Sequence, residues 1–250
     1  MTPFWKSCAS TNQKCGSASL TVLHLPAVTP AGTSALAKTC HNHYVSRKWL
    51  GLFGRKDLAE KLKAVLPVSK KQRSGDLGEI LASEYVNRKE WGYQAPVLRL
   101  RWKDGRDLAM RGDDVVGFNF HLKPVGLLKG ESKSRAVLNN GALNEARTAL
   151  RKNKGLPGAF SIEFIVDQLA DAGHTKLARR IKAEACGARL LDKREIAHLL
   201  FVFTGNDPVA LLSVHLCALK TPDIRQLAVA VHCDKHQSMI KAVFEEASHG

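Results

Sequence analysis

The sequence predicts a mixed α/β (α+β) protein with a central sheet flanked by helices, and three observations carry that prediction. Apolar residues recur at helical spacing in two segments: Leu77, Ile80, Leu81 and Tyr85 within 75–88, and Leu143, Ala146 and Leu150 within 142–154. Between them lie two runs of strand character, 113–120 and 125–133, the second with Pro124 at its start. Just upstream, Leu98, Leu100 and Trp102 alternate with Arg99 and Arg101, which predicts a further strand before the turn at Asp104-Gly105-Arg106. A helix, three strands and a helix make one compact unit.

The flanking elements follow in order. Residues 1–18 are polar and small, and are expected to be loose. The run 20–25 reads as a strand ended by Pro26. Residues 34–50 form a weakly periodic helix, and 57–66 a clearer one with Leu58, Leu62 and Val65 inward and Pro67 as the stop. The basic run Lys70-Lys71-Gln72-Arg73 then leads to the helix at 75–88. Beyond 154, Ser161 is expected to cap a helix through Ala172, Gly173 to end it, and 175–185 to form a basic helix. Asp192 and Glu195 have the spacing of a capping box ahead of the apolar run 199–203. A strand at 227–231 and a helix carrying Met239, Ile240, Val243 and Phe244 complete the chain. No domain boundary is apparent. The expectation is a single domain over 1–250, with a basic N-terminal extension (1–74), a core (75–154) and a C-terminal extension of helices and strand (155–250).

Charge narrows the class of partner. The net charge of +15 on 250 residues favours a polyanion, and nucleic acid is the commonest. Residues 1–75 carry twelve Lys or Arg against only Asp57 and Glu60, so the positive charge forms a lobe. Six cysteines without a Cys-x-x-Cys pair argue against a zinc ribbon or a disulfide framework, and free thiols suit a cytoplasmic protein. The uncharged stretch 15–37 is broken by Pro26, Pro30, Gly16 and Gly32, which excludes a membrane span there.

Two short runs carry chemistry: Gly112-Asp113-Asp114-Val115-Val116 and Gly130-Glu131-Ser132-Lys133. Phosphodiester hydrolysis needs an activated water and neutralisation of charge on the phosphate, which a divalent cation held by two or three carboxylates supplies. Residues two apart on a strand share a face, so Glu131 can hold the cation while Lys133 reaches the same phosphate or the attacking water. An acid from the neighbouring strand, Asp114 or its neighbour Asp113, would be the second ligand. The sequence alone leaves open which of the two turns inward. Arg147, Arg151 and Lys154 recur at helical spacing after the second run, with Ser134 and Arg135 between, and are candidates for DNA phosphate contact.

In this order, the residues resemble the PD-(D/E)XK nuclease superfamily with its restriction-endonuclease-like core. Glu79 lies on a helix in Gly75-Asp76-Leu77-Gly78-Glu79-Ile80, then come Gly112-Asp113-Asp114 and Glu131-Ser132-Lys133. The proline that precedes the strand acid in the superfamily's name is absent; Asp113 stands there. The wording of these motifs, including Gly130-Glu131-Ser132-Lys133-Ser134-Arg135, is similar to that of the nuclease subunit of the Hachiman antiphage system. The resemblance implies a bacterial, cytoplasmic, Mg2+-dependent deoxyribonuclease, with Mn2+ as a substitute. Asp114, Glu131 and Glu79 would be its metal ligands, and Lys133 would orient water or steady the transition state. It further implies DNA as substrate and a superfamily 2 helicase as heterodimer partner restraining the nuclease. The competing reading is a non-catalytic, basic DNA-binding or helicase-regulating subunit with a nuclease-like fold.

Other signals are set aside. His41-x-His43 and the run His232-Cys233-Asp234-Lys235-His236 offer metal-binding atoms, but neither has a second cluster at a recognisable distance. No Gly-x-x-x-x-Gly-Lys loop and no Gly-x-Ser-x-Gly elbow occurs, so ATP use and serine nucleophile chemistry are not expected.

Overall fold

The computed structural model describes residues 3–25, 29–45, 55–185, 196–219 and 224–249. Pro26, Cys186, the pair Asp192 and Glu195, and the end of the 34–50 helix lie outside them. The elements are α1 (Pro3–Lys6), β1 (Ala9–Cys15), β2 (Ala18–His24), α2 (Pro30–Tyr44), α3 (Arg55–Val65), α4 (Lys70–Val86), β3 (Val115–Asn119), β4 (Gly126–Arg135), α5 (Asn140–Arg151), α6 (Ala159–Asp171), α7 (Thr175–Ala185), β5 (Ile196–Thr204), α8 (Val209–Cys217), β6 (Arg225–His232) and α9 (His236–His249). The six strands form one mixed sheet in the order β1-β2-β6-β5-β4-β3. β1 with β2 and β3 with β4 are antiparallel, and the three central pairings are parallel. This is the mixed α/β architecture that the hydrophobic periodicities predict.

Every residue of β5 is buried, as a strand covered on both faces requires. Its alternate side chains divide between two layers. Leu199, Phe201 and Phe203 pack with Leu36, Leu77, Ile80, Leu81 and Phe244 beneath α2, α4 and α9. Leu200 and Val202 join Leu143, Ala146, Leu150, Leu212 and Leu216 beneath α5 and α8. A third cluster, Val116, Phe118, Leu127, Ile162, Ile165 and Ile181, seats α6 and α7 at the β3 end of the sheet.

Four expectations are corrected. Residues 9–15 are an edge strand and not loose: six of the seven face solvent, so no apolar alternation marks them, and pairing with β2 across the Gly16 turn (φ 62°) holds them. The alternation at 98–102 belongs to a 3-10 turn, Arg99–Trp102, with Leu100 inward. Its arginines fold back on carbonyls, Arg101 onto that of Asn42 (2.6 Å) and Arg99 onto that of Arg111 (2.7 Å). The helix expected to run to 154 stops at Arg151, because Asn153 and Lys154 adopt positive φ (57° and 59°). Ser161 lies inside α6, whose cap is Gly158, and its hydroxyl accepts from the Asp113 N–H (2.9 Å). The helix α8 carries no predicted counterpart.

Candidate active site

The register of β3 and β4 creates the site. Their pairing ends at Val115 opposite Gly130, while β4 runs on through Arg135 paired only with β5. A notch opens on the β3 side, where the Ser132 N–H has no strand partner. Asp114, one residue before β3, fills that place: its Oδ2 accepts from Ser132 N at 2.8 Å. Glu131 and Lys133 share one face of β4, and Lys133 Nζ donates to Glu131 Oε1 at 2.8 Å.

The third wall is α4, capped at Ser69, whose hydroxyl accepts from Gln72 N. It can approach β4 only because position 78 is glycine, where a Cβ would stand 2.9 Å from Ser132 Oγ and 3.1 Å from Ser134 Cβ. The next residue, Glu79, reaches the notch. Lys70, Lys71, Glu79, Asp114, Glu131 and Lys133 all line one cleft of about 480 Å³.

The carboxylates strain against one another. Burial pushes the Glu79 pKa well above its ordinary value, and the Asp114 charge adds to it. Burial raises Asp114 as well, against the opposing pull of the Ser132 N–H, Arg99 and Lys133. Glu131 is pushed up to about 7, by burial first and the Asp114 charge second, with Lys133 opposing. Three acids so placed could hold a divalent cation through oxygen ligands.

Asp113 has other work. It pairs with Lys129 (3.4 Å) and accepts from the Gly158 N–H (2.7 Å). The Lys129 ammonium is buried and also donates to the carbonyls of Lys152 (2.9 Å) and Leu156 (3.0 Å). Asp113 therefore anchors α6 and the 152–156 turn, and Asp114 is the acid that faces the cleft.

A family model described as HamA matches residues 6–247, nearly the whole chain. The chain belongs to the HamA family. A curated relative, "Hachiman protein HamA" of Bacillus cereus, is 36% identical over 139 residues, covering 55% of this chain and 49% of the relative. The matched stretch thus spans about half the length of that relative.

Within this HamA-family chain the expected DNA-contacting residues separate. Arg135, Arg151 and Lys154 are exposed. Ser134 lines the cleft but is buried, its hydroxyl bonded to Ser74 Oγ (2.8 Å) and His236 Nε2 (3.0 Å). Arg147 does not fit the expected phosphate contact. It is only 7% exposed, donating to Gln226 Oε1 (2.6 Å) and His215 Nε2 (3.1 Å) between α5, α8 and β6.

Sequence reasoning missed two cationic residues of the cleft and one behind it. Lys70 and Lys71 line it, and their signal was the basic run leading into the helix that carries Glu79. Arg99 was hidden in a false strand alternation. Its guanidinium lies 3.9 Å from Glu79 Oε2 and donates to the carbonyls of Asp113 and Arg111, clamping the segment before Asp114 against α4.

His41 and His43 make packing contacts, to the Ala247 carbonyl (2.7 Å) and to Glu84 (2.9 Å). Among the described residues, no helix is long and apolar enough to cross a membrane.

Proposed function

We propose that this chain is a divalent-metal-dependent deoxyribonuclease serving as the effector of an antiphage defence system. The convergence of Glu79, Asp114, Glu131 and Lys133 from three elements on one cleft carries the reading. The donor set fits a hard cation: three half-buried carboxylates, Glu79 and Glu131 each repelled by Asp114, with Asp114 fixed through one oxygen by the Ser132 N–H. Asp114 and Glu131 would hold Mg2+ or Mn2+, with Glu79 completing the shell directly or through water. When bound, the cation supplies charge neutralisation at the phosphate and a more acidic water.

The chain's own groups do the rest. Lys133, held by Glu131 at 2.8 Å, would orient the attacking water or steady a phosphate oxygen. Lys70 and Lys71 on the cleft wall, and exposed Arg135, Arg151 and Lys154, hold the DNA backbone. Such contacts read phosphates and not bases, so cleavage has little sequence specificity.

The relative's name places that protein in the Hachiman system. Together with the motif resemblance, it supports a partnership here with a superfamily 2 helicase that restrains the nuclease until DNA is engaged.

The test is cleavage of supercoiled plasmid in Mg2+, with and without the helicase. Wild type should nick and then degrade it, and Glu131→Ala and Lys133→Ala should each lower the rate by about 100-fold or more. No cleavage in either setting, or equal cleavage by both variants, contradicts the proposal and favours a non-catalytic DNA-binding or helicase-regulating subunit.

A further inference from the structure

We infer that His24, His232 and Asp234 form a second metal site, for a borderline transition cation such as Zn2+, separate from the carboxylate cleft. His24 ends β2 and His232 ends β6, and the two are register partners in a parallel pair. Their imidazoles therefore leave the same face of the sheet, with ring centroids 5.0 Å apart. Asp234 lies in the turn before α9 and brings Oδ1 to 3.1 Å from His232 Nε2. One ligand atom from each of the three lies within 4.8 Å of the other two.

These separations are close to what a cation needs. Tetrahedral zinc with bonds of about 2.0–2.1 Å sets its ligand atoms about 3.3 Å apart. The His232–Asp234 pair already meets that spacing. The remaining gap closes by side-chain rotation, since both imidazoles are half-buried and the carboxylate is exposed.

The backbone beneath is fixed. Leu25 N donates to the His232 carbonyl and Cys233 N to that of Thr204, both at 2.9 Å. Neighbouring Leu25, Val231 and Cys233 are buried in the core. The ligands are thus presented by strand ends and not by a loose loop.

The donor sets separate the two sites chemically. Two imidazoles and a carboxylate favour zinc-like cations, whereas the all-oxygen cleft favours magnesium. They are also apart in space: β5 lies between β6 and β4, so β6 is about 10 Å from the strand of Glu131. Three protein ligands leave a position for water or for a group brought by a partner. A cation here would tie the end of β2, the end of β6 and the start of α9 into one unit. The sequence offered only the run 232–236, set aside for want of a second cluster; His24 lies near the other end of the chain, and the sheet is what brings it alongside.

Calorimetric titration with Zn2+ tests this on the full chain carrying Asp114→Asn and Glu131→Gln, which weakens the cleft as a competing site. One equivalent should bind, and adding His24→Gln or His232→Gln should weaken binding at least about 100-fold, more than loss of an outer hydrogen-bond partner costs. Zn2+ should raise Tm in that background and leave the His232→Gln protein unchanged. Where a histidine variant fails to fold, X-ray absorption of the Zn2+-loaded background protein decides, with two imidazole nitrogens in the shell as the expected result. No binding at micromolar Zn2+, binding indifferent to both histidine substitutions, or an all-oxygen shell overturns the inference. None of these outcomes depends on whether the cleft cuts DNA.

Discussion

Asp113 carries a charge that the interior requires, because the Lys129 ammonium beside it is buried and would otherwise keep two carbonyls as its partners among the described residues. Asp114, one residue on, carries a charge that the interior resists, with Glu79 and Glu131 close enough to repel it. The two should therefore respond oppositely to substitution. Asp113→Asn strands the lysine and should cost about 3 kcal/mol, lowering Tm by roughly 6–12 °C in thermal unfolding. Asp114→Asn keeps an acceptor for Ser132 N and removes a repelling charge. In metal-free buffer it should leave Tm unchanged or a few degrees higher, while nuclease activity is lost. A large fall in Tm for Asp114→Asn would place it with the structural acids. The sequence could not distinguish the pair, since both stand where the chain enters β3 and only the Lys129 and Gly158 contacts set them apart.

At the scale of elements, the site depends on how closely α4 approaches β4. Gly78→Ala puts a methyl against Ser132 Oγ and Ser134 Cβ and should cost about 1–3 kcal/mol. It should lower cleavage as well, because Glu79 moves with the helix; denaturant titration alongside the plasmid assay separates the two effects. Within β5, burial holds the His198 imidazole neutral, its pKa lowered from the ordinary value by desolvation and by the nearby Lys129, Arg147 and Arg151 charges despite the Gly155 carbonyl. Its folded pKa lies below its unfolded value of about 6.5, so its stabilising contribution is present above that pH and is lost as pH falls through the folded value. Denaturation midpoints should drop below about pH 6.5, and His198→Gln should flatten the dependence.

The elements also show why parts of the molecule were legible. The two-residue period placed Glu131 and Lys133 on one face of a strand, and the apolar stripe of α4 put Glu79 on a helix. β1 was invisible because an exposed edge strand needs backbone pairing and no apolar pattern. The alternation around Arg99 misled because its arginines bind carbonyls in place of solvent. Helical spacing grouped Arg147 with Arg151 but could not show that α8 and β6 cover one of them.

Over the whole molecule, the net charge of +15 should make DNA binding steeply salt-dependent. Replacing exposed Arg151 and Lys154 together with Ala should weaken binding to all sequences alike. If both contact duplex phosphates, the slope of log affinity against log salt should flatten by about 2. Arg147→Ala should instead act on stability, because its partners are Gln226 and His215. Unchanged affinity and slope in the double variant would move the DNA path to the Lys70–Lys71 wall of the cleft.

The proposed nuclease activity requires that the notch beyond β3 hold a catalytic cation between Asp114 and Glu131. Anomalous diffraction from crystals of the chain soaked in Mn2+ tests it most directly. A peak is expected at coordination distance, about 2.1–2.3 Å, from carboxylate oxygens of both residues, and its loss in Asp114→Asn. A cleft without a peak, or a peak that survives that substitution unchanged, would contradict it.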